Sequence, residues 1–215
     1  MSSHHFVKEG QEPALLCLDP QALSYEHLGA LLAWVPVLMA DIRCLDTLLD
    51  WQVKVDVLLC REEEREAVMP RLVEQAPVSI LCYQRPEEAL ASSLLYLRAK
   101  QHDSLTVAVE PWRLEAAWLQ GVAMLAGEFP ITVYSRLEKG FACSGNKLEK
   151  WLAAGTRIRL LSTLHVMDVH AKGLPSEQYS MQAGEWLELE APQDGKVSIM
   201  PAQEGLWFFE EVFAP

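Results

Sequence analysis

Up to about Phe129, short unbroken apolar runs alternate with stretches whose apolar residues recur at helical spacing. Ala14–Leu18, Val35–Met39, Val53–Cys60, Val78–Tyr83 and Leu105–Val109 have the length and continuity of strands covered on both faces, as in a parallel sheet. Ile42, Leu45, Leu48 and Leu49 fall at helical spacing, as do Leu90, Leu94 and Leu97, and then Leu114, Trp118, Val122 and Leu125. A further helix is expected from Arg61, kinked or shortened at Pro70, whose ring cannot continue the hydrogen-bond ladder. Pro86-Glu87-Glu88 suits a helix start, because proline loses no bond in the first turn and acids complement the helix dipole. Strand alternating with helix predicts an α/β fold, a layered and largely parallel sheet with flanking helices.

After Gly127 the pattern changes to short strands. Ile131–Tyr134, Arg157–Leu161, Val166–Val169, Trp186–Glu190, Lys196–Met200 and Leu206–Phe209 are punctuated by Gly155, Gly173, Gly184, Gly195 and Gly205. That spacing predicts a small all-β sandwich or barrel. The boundary is expected near Phe129-Pro130, giving an α/β domain over 1–129 and a β-sandwich domain over 130–215.

The chain has 215 residues, enough to bury two modest cores. Its net charge of -12 argues against nucleic acid or an anionic membrane as partner, since both require a basic surface. A nucleotide would have to bind locally, its phosphates bridged to carboxylates by a divalent metal. The most apolar stretch, His27–Ala40, is too short to span a bilayer and contains Pro36. The first ten residues lack the charged and apolar regions of a signal peptide. The five cysteines are odd in number and form no close pair, so they are expected to be structural thiols in a reducing compartment, the cytoplasm by default. His4, His5, His165 and His170 have no partners at metal-ligand spacing, and no serine-nucleophile elbow is present.

This order of segments resembles that of thiamin pyrophosphokinases, an α/β domain followed by a small β-sandwich. In that family a strand ends in Asp-Gly-Gly-Ala and leads through a helix to a strand with the pattern PDxxIGDxDS. Here Asp41-Ile42-Arg43-Cys44 and Val55-Asp56 through Cys60-Arg61-Glu62-Glu63 stand at that spacing. Asp41 and Asp56 match, Arg61 stands at the first metal-binding aspartate position, and Glu63 stands at the second. The family's GATGGRxDHxxxN is similar to Ala108 through Ala116, with Pro111-Trp112 at two glycine positions, Arg113 kept, Glu115 for aspartate and Gln120 at the asparagine position. Ala89 replaces the aspartate of TDxxxAL, with Glu87 and Glu88 beside it. Gly155–Leu161, Val166–Leu174 and Gly195–Phe209 follow the family's second domain, whereas its SNE triplet, used around thiamin, has no counterpart in Trp186–Glu190.

The resemblance implies an enzyme that moves pyrophosphate from ATP to thiamin, with Mg²⁺ held by carboxylates, working as a homodimer with sites between subunits. Asp41, Asp56, Glu63, Arg113 and Glu115 would be the catalytic residues, with Asp41 and Glu63 holding the metal. Arg61, Trp112, Arg113 and Gln120 would meet the cofactor. The replacements weigh against that chemistry: arginine only donates hydrogen bonds and cannot ligate a metal. Proline removes an amide donor where glycines would let the backbone approach phosphates. The charge run Arg61–Glu66 also suits a solvated first helical turn, and Asp41 and Asp56 suit a cap and a loop. The expectation is a thiamin pyrophosphokinase-like protein that binds a small ligand, thiamin-like or a nucleotide, without catalysis. The alternative is an active ATP- and Mg-dependent transferase.

Overall fold

The structure is a computed structural model, and it describes residues 13–33, 37–127, 129–143 and 147–212. His4 and His5, and Val35-Pro36 of the second expected strand, lie outside the described residues. The chain divides into two compact units, one of 1–110 with 128–131 and 214–215, the other of 111–127 with 132–213.

In the first unit, strands β1 (Ala14–Cys17), β2 (Leu38–Asp41), β3 (Val57–Arg61), β4 (Ser79–Tyr83) and β5 (Leu105–Ala108) form an all-parallel array in the order β5-β1-β2-β3-β4. Every residue of β1, β2 and β5 is buried, as strands covered on both faces require, whereas the edge strand β4 is largely half-exposed. Helices α1 (Tyr25–Leu32), α2 (Leu45–Asp50), α3 (Arg65–Val68) and α4 (Ala89–Ala99) make the crossovers between successive strands. α1 has no counterpart in the apolar pattern above. It is started by Ser24, whose hydroxyl accepts a bond from the His27 amide. α3 ends one residue before Met69-Pro70 opens a 3-10 segment, consistent with the missing proline donor.

The third strand begins at Val57, not at Val53. Val55 N–H is bonded to the Gln75 side chain, so the backbone pairing with the neighbouring strands starts only at Asp56, whose amide donates to Leu38 O and whose carbonyl accepts from Ser79 N–H. From β1 the order runs outward through β2, β3 and β4, then returns to place β5 on the other side of β1. β1 and β5 therefore flank a topological switch point, and ligand crevices of open α/β sheets lie at the carboxyl ends of such strands.

The second unit opens with a 3-10 turn at Pro111–Arg113 and α5 (Ala116–Ala126). Strands β6 (Ile131–Tyr134), β7 (Glu138–Ala142), β14 (Leu206–Glu211), β9 (Arg157–Ser162) and β12 (Trp186–Glu190) pair antiparallel in that order. β8 (Leu148–Leu152), β13 (Gly195–Pro201), β10 (Met167–Lys172) and β11 (Gln178–Met181) make a second antiparallel sheet. Ile158, Leu160, Leu206 and Phe208 of the first sheet share one core with Met167, Val169, Val197 and Ile199 of the second. β10 shows the strict inward-outward alternation of a sheet with one solvated face.

Two positions show how tightly this sandwich is built. Lys139 and Lys150 converge on the buried Glu210 at 2.8 and 2.6 Å. Gly140 lies in register beneath Phe209, and a methyl group there would overlap the Phe209 ring. Gly140→Ala is therefore expected to cost about 1–3 kcal/mol through overpacking. Thermal unfolding should show a lowered Tm with the fold retained by circular dichroism.

Candidate functional site

The carboxyl ends of the parallel strands bring together a set of polar residues that only partly coincides with the expected one. Asp41 ends β2 and caps the 3-10 turn Ile42–Cys44, its Oδ1 accepting from Arg43 N–H at 3.1 Å. The same oxygen accepts from Arg43 Nε at 2.7 Å, and Oδ2 accepts from the Tyr83 hydroxyl at 2.8 Å. Asp41 is 0% exposed. A buried carboxylate is tolerated only when it is paired and hydrogen-bonded, and here Arg43 and Tyr83 do both. Arg43 Nη1 also stands 3.6 Å from Oδ1 of Asp19, a buried residue just after β1. Across the switch point, the Glu110 amide following β5 donates to Asp19 Oδ2 at 3.1 Å. Burial, and then the Asp41 carboxylate, push the Tyr83 phenol well above its ordinary range.

The other expected residues of the first unit are placed differently. Asp56 lies before β3, bonded to Leu38 N–H at 3.0 Å and Lys54 Nζ at 2.8 Å. Asp41 is in register with Leu59, three residues further along, so Asp56 sits about 10 Å away toward the amino ends of the strands. The structure does not bring Asp56 to the edge that carries Asp41, because the strand starts after it. Arg61 ends β3 and is half-exposed, its guanidinium 2.9 Å from Glu64 and 3.2 Å from Glu63. Hydrogen bonding from Arg61 holds the Glu64 carboxyl below its usual range. Glu63 is exposed and lines a shallow hollow of about 460 Å³ with Glu62, Arg65, Glu66 and Met69. Glu88 is likewise occupied locally, bonded to Arg85 at 2.9 Å.

These residues do not fit a resident Mg²⁺. Both oxygens of Asp41 are taken by side chains of this chain, and Glu63 is paired with Arg61. Among the described residues no group of three or more His, Cys, Asp or Glu is arranged to hold a metal ion.

Trp112, Arg113, Glu115 and Gln120 belong to the second unit. The Arg113 guanidinium stacks 4.7 Å from the exposed Trp112 ring, Glu115 precedes α5, and Gln120 is half-buried on that helix. The same unit contains a groove of about 700 Å³ that the sequence did not single out. It lies over the face of β7, β14, β9 and β12 turned away from the sandwich core. Phe209, Arg159 and Glu188 are in register across three strands there, and Glu211, Arg157 and Glu190 lie beyond them in parallel.

Glu138 and Glu211 face one another on adjacent strands, a like-charge pairing that needs compensation. Arg159 forks onto Glu138, with Nε at 2.9 Å, and stacks 4.0 Å from the Trp186 ring centre. Arg157 lies 3.5 Å from Glu211. Arg136, Glu188 and Glu190 also line the groove, and their side chains make no ion pair among the described residues. Two signals could have led to these groups. Asp19 and Arg43 each lie two residues past the end of a buried strand, and the alternating charges of Arg157-Ile-Arg159 and Trp186-Leu-Glu188-Leu-Glu190 mark one sheet face.

The Tyr83–Asp41 contact generates a test. Tyr83→Phe is expected to cost about 1–3 kcal/mol by leaving a buried acceptor short of its donor. Because the folded-state phenol titrates above the unfolded value of about 10, its contribution is full below that pH. It is lost as pH rises from there through the folded-state value. Unfolding measured from pH 9 to 12 should fall more steeply for wild type than for Tyr83→Phe.

No protein-family model matches the chain, and no curated protein matches it by sequence. Solved structures do match its fold. Thiamin pyrophosphokinase from Geobacillus thermodenitrificans is 12% identical, with 93% of this chain and 96% of that chain covered and a TM-score of 0.68. The enzyme from Candida albicans is 6% identical over 96% and 95%, with a TM-score of 0.69. Thiamine pyrophosphokinase from Bacillus subtilis is 13% identical over 93% and 98%, with a TM-score of 0.65. Among the described residues no helix is long and apolar enough to cross a membrane. With its parallel α/β array, its four-stranded antiparallel sheet and this likeness along nearly the whole chain, the protein has the thiamin pyrophosphokinase fold.

Proposed function

We propose that this is a thiamin pyrophosphokinase-like protein that binds a small organic ligand and does not transfer pyrophosphate. The observation that carries this reading is the closure of Asp41 by Arg43 and Tyr83. Phosphoryl transfer depends on positioning and on metal ions that neutralise the phosphate oxygens. A carboxylate whose two oxygens already accept a guanidinium and a buried hydroxyl has no open side for such an ion. The Arg61–Glu63–Glu64 set is likewise satisfied within itself.

The ligand is taken in a cleft completed by a second copy of the chain, to which the second unit contributes its groove. Glu188, Glu190 and Arg136 line it and offer charges that no internal pair consumes among the described residues. A compact ligand with a cationic group, thiamin being the available probe, complements the two carboxylates of that lining. Light scattering is expected to give twice the chain mass.

With thiamin, ATP and Mg²⁺, the purified protein should form no thiamin diphosphate. Formation that disappears in Asp41→Asn would overturn the non-catalytic reading. Thiamin binding followed by intrinsic fluorescence should weaken about tenfold when Glu188 and Glu190 are both changed to glutamine, the loss of one charge-assisted contact. An unchanged Kd would remove the groove from the ligand site.

A further inference from the structure

The carboxyl edge of the parallel strands is organised around a cation that the chain supplies itself. Arg43 Nε lies 2.7 Å from Asp41 Oδ1, and Nη1 lies 3.6 Å from Asp19 Oδ1. Both carboxylates are buried, at 0% and 3% side-chain exposure, while the Arg43 side chain remains 42% exposed. We propose that Arg43 is the resident cation of this edge, filling the place beside Asp41 that a hydrated divalent ion would otherwise take. Its removal would turn the edge into a binding site for such an ion. This inference rests on the reading of the edge as closed to metal chemistry and adds the residue that keeps it closed.

Four features support it. The Oδ2 atom of Asp41 belongs to the Tyr83 hydroxyl, so only the Oδ1 side can be addressed by a cation, and that is the side Arg43 covers. Arg43 is the exposed member of the set, so shortening its side chain would open this side to water. Mg²⁺ and Ca²⁺ prefer carboxylate oxygens, and Mg²⁺ keeps several of its waters, so contact with Asp41 and with Asp19, directly or through those waters, suits both ions. The Arg43 amide caps Asp41 through the backbone, a contact that survives any change of side chain and keeps the carboxylate aimed at the vacated space. Finally, this set is separate from Arg61 and Glu63, which pair with one another, and Glu64 binds Arg61 too. A guanidinium and a divalent cation repel one another at this range, so the wild type excludes the ion by occupancy and by charge.

The test uses the full chain and thermal unfolding with Mg²⁺ or Ca²⁺ against EDTA. Wild type should show no selective response. Arg43→Met, which keeps an apolar stem and removes the charge, should unfold at lower temperature in EDTA. Divalent ion at tenfold excess over its Kd should raise its Tm by about 3–6 °C. Arg43→Lys, still cationic, should respond little. Adding Asp41→Asn to Arg43→Met should abolish the response, which separates this site from general screening of an acidic protein.

If Arg43→Met does not fold in EDTA, the same comparison is read as refolding yield with and without Ca²⁺, and a recovered yield supports the proposal. A folded Arg43→Met that ignores divalent ions, or a yield that Ca²⁺ leaves unchanged, overturns the role given to Arg43. Pyrophosphoryl transfer by the wild type would instead overturn the functional reading, so the two failures are distinguishable.

Discussion

A carboxylate with no solvent contact at the end of a central parallel strand has to be neutralised by something, and at Asp41 that something is internal. Arg43, two residues later, reaches back to one oxygen, and Tyr83, from the end of the edge strand, takes the other. The register explains why both are available. β3 and β4 end level, with Arg61 opposite Tyr83, and β2 ends two residues short of them, with Asp41 opposite Leu59, so the long Tyr83 side chain reaches back to Asp41 along one edge. The interaction ties the end of β2 to the end of β4, Arg43 extends it to Asp19 after β1, and together they set the electrostatic character of the edge. Similar solved structures with very low identity show that the fold persists under near-complete sequence change. The local charge arrangement is therefore a property of this chain, and cannot be read from the fold it shares.

The second unit handles its charges in the same self-contained way. Glu210, buried at the end of the sandwich, is met by Lys139 and Lys150, and Glu138 is met by Arg159. Pairs of this kind seldom add net stability over an apolar packing, but breaking one leaves a buried charge without compensation. They therefore constrain which substitutions the unit accepts. They also decide what remains for a ligand, since only the charges left out of internal pairs can be offered to one.

Much of the fold was legible in the sequence, and the reasons are local. The strands of the first unit are continuous apolar runs because they are covered on both faces, and β10 alternates because one of its faces is solvated. β7 and β8 escaped notice because the inward positions Lys139 and Lys150 are charged. They are made tolerable only by Glu210, which lies far along the chain. β11, four residues with a single fully buried side chain, carries too little pattern to be read. At the candidate site, spacing singled out Asp41 and Asp56 alike, and the structure places one at the end of β2 and the other just before β3, since a motif match does not tell which end of a strand a residue occupies. Arg43 drew no attention because its role depends on Asp19, which only the parallel pairing of β1 with β2 brings near.

The most direct test of this account is a titration of isotope-labelled wild-type protein with Mn²⁺, followed by paramagnetic line broadening of backbone amides. Dependence of the edge on its own guanidinium predicts that Asp41 to Cys44 and Tyr83 keep their intensity, while exposed acidic segments such as Glu62 to Glu64 broaden only in proportion to general surface association. Selective broadening of Asp41, Arg43 and Tyr83 at substoichiometric Mn²⁺ would place a metal where Arg43 is said to stand and would contradict the account.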